Sequence, residues 1–138
     1  MQAEAIFQDL KRKLGDVMPE AELLLKAEVA AEVLRLKVER DAVILGHNYM
    51  EPALFHSVPD FQGDSLELSR RAAETNKSVI VFCGVRFMAE TADLLSTPDQ
   101  AVILPNLAAG CSMTDMADES SVIRRRNRSR GSRPLPRD

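Results

Sequence analysis

The chain has 138 residues, with 45% hydrophobic and 28% charged side chains and a formal net charge of −3. That length fits one domain, and that balance excludes general disorder and a membrane-embedded chain. The longest apolar run, residues 79–85, is far shorter than the roughly 20 residues of a membrane span, and the charged first twelve residues do not read as a secretory signal.

Residues 2–14 place apolar side chains at 3, 5, 6, 7, 10 and 14, a helical spacing that Gly15 ends. Pro19 suits the first turn of the next helix. Residues 22–40 repeat apolar positions at 24, 25, 29, 33 and 36 between charges, which predicts a long amphipathic helix. The period then changes. Residues 42–45 form a short β-branched run before Gly46, read as a buried strand; residues 78–83 and 101–104 are two more. A short helix is expected over 52–58, and longer ones over 65–76 and 86–95. Alternating strands and helices predict an α/β fold whose parallel sheet is covered on both faces.

From Asp118 onward there are seven arginines, three acids and no lysine, a balance of +4, so residues 1–117 hold −7. The segment is rich in Ser, Gly and Pro and has few apolar residues after Ile123, so 118–138 is expected to be a disordered basic tail. Basic tails can bind nucleic acid, but no aromatic residue interleaves these arginines to stack bases, and no nucleic-acid partner is expected.

Ligands of open α/β sheets lie beyond the carboxyl ends of the strands. Three segments qualify: 46–49 with His47 and Tyr49, 84–87, and 105–112 with Cys111. His and Tyr can both move protons, although a His in such a loop is as readily a bonded structural group. Asp64 or Ser65 suits the N-cap of the 65–76 helix, and the same helix start could take a carboxylate or phosphate. Cys83 ends an apolar strand and reads as core filler. Cys111, on a Gly-containing loop, could reach a metal or an electrophile, but one thiol does not build a cluster site and no Cys-x-x-Cys is present. His56 is given no role.

Four stretches carry a resemblance. They are Leu45-Gly46-His47-Asn48-Tyr49; residues 60–69, Asp-Phe-Gln-Gly-Asp-Ser-Leu-Glu-Leu-Ser; residues 81–92, Val-Phe-Cys-Gly-Val-Arg-Phe-Met-Ala-Glu-Thr-Ala; and Leu104-Pro105-Asn106 followed by Gly110-Cys111-Ser112-Met113. In this order and spacing, over residues 40–117, they resemble the quinolinate synthase A family. The resemblance implies a three-layer αβα unit, one of three around a pseudo-threefold axis. It implies condensation of iminoaspartate with dihydroxyacetone phosphate to quinolinate for NAD biosynthesis, with a 4Fe–4S cluster as Lewis acid. L-aspartate oxidase would be the upstream enzyme, and the compartment would be the cytoplasm. It further implies that Cys111 is a cluster ligand, that His47 and Ser65 hold substrate carboxylate, and that Tyr49 is a proton donor or acceptor. The family's protein is longer, and its other two cluster cysteines are absent here. The chain is therefore read as an N-terminal fragment, residues 1–117, joined to a non-native tail, 118–138, of the composition that a frameshift in a GC-rich gene would yield. Such a fragment is expected to be inactive by itself. The alternative reading is a phosphate- or nucleotide-binding α/β module without catalysis, against which stands the lack of a Gly-rich phosphate loop.

Overall fold

A computed structural model describes residues 2–112, 116 and 118–131. Helix α1, Gln2–Leu14, buries Phe7, Leu10 and Leu14 along one stripe, and Lys11, Arg12 and Lys13 occupy its last turn, where cations favour the helix dipole. Gly15 follows because its amide bonds the Lys11 carbonyl and a Cβ there would lie 2.5 Å from that oxygen. Helix α2, Glu20–Glu39, starts directly after Pro19, with Glu20 and Glu22 in its first turn.

The packed face of α2 differs from the expected one. Leu23, Ala27 and Ala30 are buried, whereas Leu24, Leu25, Val29 and Leu36 are exposed. Small alanines let α2 approach its neighbours closely, and α1 packs there through Phe7, Leu10 and Leu14. Leu25, Val29 and Val33 instead form one wall of an open apolar cleft of about 650 Å³, whose floor includes Val81 and Cys83.

Asp41 turns the chain from α2 into the sheet with a left-handed φ of 48°. Its carboxylate accepts hydrogen bonds from Lys77 Nζ at 2.7 Å and from the Ser78 amide at 3.2 Å, which tie the starts of two strands together. Strand β1, Ala42–His47, runs beside β3, Val79–Cys83, and β4, Ala101–Ile103, flanks β3. A further strand, β2, Phe61–Gly63, lies on the other side of β1. The sheet order is β2-β1-β3-β4, all parallel. β2 was not legible in the sequence because its three residues, Phe-Gln-Gly, lack a β-branched run. Asp60 sets its register: its backbone amide bonds the Ile44 carbonyl, its carboxylate accepts from the Ile44 amide at 2.8 Å, and Lys37 Nζ lies 2.6 Å away.

Between β1 and β2 sits the short helix α3, Pro52–Phe55, capped by Glu51, which accepts from the Leu54 amide. Helices α4, Ser65–Glu74, and α5, Arg86–Leu95, make the next two crossovers. Alternation along the strands separates two faces. Val43, Leu45, Ile80 and Phe82 pack on Leu68 and Ala72 of α4 and on Met88, Ala89 and Ala92 of α5. Ile44 and Cys83 face the other way, onto Ala30 and Val58. Helices thus cover both faces of a parallel sheet, the three-layer αβα arrangement.

The expectation of a wholly disordered tail is corrected. Residues Glu119–Gly131 form helix α6. Asp118 starts it by accepting from the Ser121 amide at 2.7 Å, a helix-start bond that composition alone does not weigh. Residues 132–138, the rest of that expectation, lie outside the described residues. Among the described residues no helix is long and apolar enough to cross a membrane.

Candidate functional site

The carboxyl edge of the sheet carries two groups of side chains. The first is built where β1 and β2 end. His47 is the last residue of β1, paired in register with Gly63, and only 6% exposed. Its Nδ1 accepts the Tyr49 amide at 3.3 Å, which leaves the proton of the neutral ring on Nε2. The Tyr49 ring stands 5.0 Å from the imidazole, tilted by 58°, and is 89% exposed. The turn that brings the two together is held by the Asn48 amide on the Gly63 carbonyl and the Met50 amide on the His47 carbonyl.

Burial pushes the His47 pKa below its ordinary value, and the nearby Asp64 carboxylate partly opposes that shift. Asp64 is the N-cap of α4 and accepts from the Glu67 amide at 2.8 Å. The expected helix start is therefore present, one residue before the half-buried Ser65. Asp64 already satisfies one orphan donor of α4 and brings a negative charge to it, so an arriving anion would meet the Ser65 hydroxyl and the remaining first-turn amides. His47, Tyr49 and Ser65 thus share the edge formed by β1 and β2.

The second group lies at the ends of β3 and β4. Cys111 is partly exposed and borders a cleft of about 200 Å³ together with Val85, Arg86, Phe87, Glu90, Ala109 and Gly110. Arg86 and Glu90, one turn apart on α5, form an ion pair of 2.8 Å on that cleft. His47 and Tyr49 do not line it. The structure therefore puts Cys111 on the same edge of the sheet as His47 and Tyr49, bordering a cleft that those two side chains do not line. Arg86, inside the candidate segment 84–87, and Asp64, an N-cap candidate, were assigned no chemical role; their signals were the i,i+4 spacing of Arg86 and Glu90 and the closeness of Asp64 to the candidate Ser65. Met88, a residue of the same motif, is core: it is buried against Phe82 and closes on Gly84, where a Cβ would sit 3.1 Å from its sulfur.

Cys83 takes no part. It is buried on the opposite face from the α4–α5 core, and desolvation pushes its thiol pKa up, which keeps it protonated. Among the described residues no set of three or more His, Cys, Asp or Glu side chains is grouped to hold a metal ion. A 4Fe–4S cluster takes three or four thiolates. Cys111 can be one of them, and the residues of this chain alone do not make up the set.

Comparison with known proteins follows the same segments. The model of the family described as Quinolinate synthetase A protein matches residues 31–134, past residue 117 and through all of α6. The chain is 55% identical over 95 residues to the quinolinate synthase of Thermus thermophilus, an alignment covering 69% of this chain and 30% of that protein. It is 52% identical over 101 residues to the quinolinate synthase of Prochlorococcus marinus, covering 72% and 30%, and 48% identical over 103 residues to that of Agrobacterium fabrum, covering 75% and 30%. The chain spans about 30% of the length of these curated relatives.

Proposed function

Since the chain belongs to the quinolinate synthetase A protein family, we propose that it is the N-terminal αβα unit of a quinolinate synthase, carrying one part of a site that the remaining two-thirds of such a protein completes. The reaction is the condensation of iminoaspartate, supplied by L-aspartate oxidase, with dihydroxyacetone phosphate to give quinolinate for NAD biosynthesis. The observation that supports this reading is the gathering of His47, Tyr49 and Ser65 on the edge where β1 and β2 end, with Asp64 acting on the imidazole.

Each group has a role its surroundings allow. Neutral His47, with Nδ1 engaged, offers an Nε2 proton to a substrate carboxylate. Ser65 offers a hydroxyl at a helix start, where the dipole favours the same negative group. Tyr49, exposed and beside the imidazole, can pass a proton to or from the reacting carbon or nitrogen. Cys111 would supply one of the thiolates of a 4Fe–4S cluster, and the others would come from the missing part of the polypeptide. The isolated chain is then inactive.

A chimera tests this. Residues 1–117 replace the matching segment of the Thermus thermophilus enzyme. The expected result is quinolinate formation from the chimera under anaerobic conditions. Activity should fall by about 10²-fold or more with Tyr49→Phe, the scale of a lost general acid–base group, and vanish with Cys111→Ala. A folded chimera without activity, or a Cys111→Ala variant with undiminished activity, would overturn the assignment.

A further inference from the structure

Helix α6 has no role in the site above and little in the core. Its two apolar residues, Val122 and Ile123, are both exposed. Its charge is unlike that of the rest of the molecule. Five arginines and one glutamate fall within Glu119–Gly131, next to a body, residues 1–117, that carries −7.

A helix fixes those cations in space as a disordered tail would not. At 3.6 residues per turn, Arg124, Arg125 and Arg128 fall within about a 100° sector, and Arg126 lies roughly 150° from its middle. Arg124, Arg125, Arg126 and Arg128 are all exposed. Between the two arginine-bearing sides lie Ser120, Asn127 and Ile123, and Glu119 shares the Arg126 side. A helix with arginines on two opposite sides and a narrow face of Ser120, Ile123 and Asn127 between them fits a groove with phosphates along both walls. The major groove of B-form DNA is about 12 Å wide and admits one α-helix.

Other polyanions fit less well. Val122 and Ile123 stand about 100° apart on the helix and make no continuous apolar face, which a membrane-surface helix needs. The segment holds no aromatic residue on which single-stranded bases could stack. Arginine, by contrast, pairs with phosphate in a bidentate fork. The acidic body is repelled by the same phosphates and would leave α6 as the point of contact.

We propose, against the expectation drawn from composition, that α6 is a sequence-independent binding element for duplex DNA, lying in the major groove with Arg124, Arg125 and Arg128 toward one phosphate wall and Arg126 toward the other. The test is fluorescence anisotropy of the full 138-residue chain on a labelled random-sequence duplex over a salt series. With four phosphate contacts, log affinity should fall against log salt with a slope of about −4, roughly a hundredfold loss between about 50 and 200 mM. Arg126→Gln should reduce the slope by about one and the double variant Arg124→Gln/Arg128→Gln by about two, with each variant's thermal unfolding unchanged. Removing residues 118–138 should abolish binding. A slope that survives this deletion, or one untouched by Arg126→Gln, would overturn the proposal. So would a chain that binds no duplex and instead self-associates through the tail in sedimentation.

Discussion

His47 shows at the scale of one side chain how position sets chemistry. Its burial lowers its pKa, so the unfolded chain takes up a proton at a higher pH than the folded one. Stability tied to His47 is therefore present above its ordinary value of 6.5 and lost as the pH falls through and below it. Thermal unfolding midpoints should drop between pH 7.5 and 5.5 more steeply in the native chain than in His47→Gln. Asp64 opposes the shift, and replacing it with Asn keeps a capping side chain while removing the charge. In Asp64→Asn the His47 ring should titrate at a still lower pH, as followed by proton NMR of the imidazole; Asp64→Ala should in addition lose the cap and cost about 1 kcal/mol in denaturant unfolding. The two thiols differ for the same reason of setting. Native protein treated with iodoacetamide should gain one adduct, at Cys111, and urea-unfolded protein two, read by mass spectrometry. Cys83, on the floor of the open cleft, is 8% exposed and held protonated by burial, so it reacts far more slowly than Cys111.

Elements were legible in proportion to how much of their cause was local. Helix α1 and helix α5 fall where their spacing predicts, because the apolar stripe that defines them is also the stripe that is buried. Strands β1 and β3 were readable from β-branched runs buried on both faces. Helix α2 was right as a helix and wrong in its face. Periodicity favours large apolar residues, but alanines at 27 and 30 decided the packing, since close approach needs small side chains. Strand β2 could not be read at all: its pairing comes from Asp60, which bonds Ile44 from sixteen residues away. The same division runs through the site. His47, Tyr49, Ser65 and Cys111 were found by lying just past strand or helix boundaries. That Cys111 borders a cleft beside the Arg86–Glu90 pair depends on the loop after β4 and on α5 together.

For the molecule as a whole, stability rests on one side of the sheet more than on the other. Phe82 is fully buried among α4, α5 and β1, and Phe82→Ala should cost about 3–5 kcal/mol in urea unfolding. Leu25 is 62% exposed on the wall of the wide cleft, and Leu25→Ala should change stability by no more than about 0.5 kcal/mol. An apolar hollow of that size, open to water in the native fold, also alters how this protein must be followed in the laboratory. Anilinonaphthalene sulfonate is commonly used to diagnose loosened packing, because it brightens on apolar surface newly laid bare. Here the native fold already offers it a berth between α2 and the sheet, so the dye should glow before any denaturant is added and dim as the chain unfolds, the reverse of the usual signal.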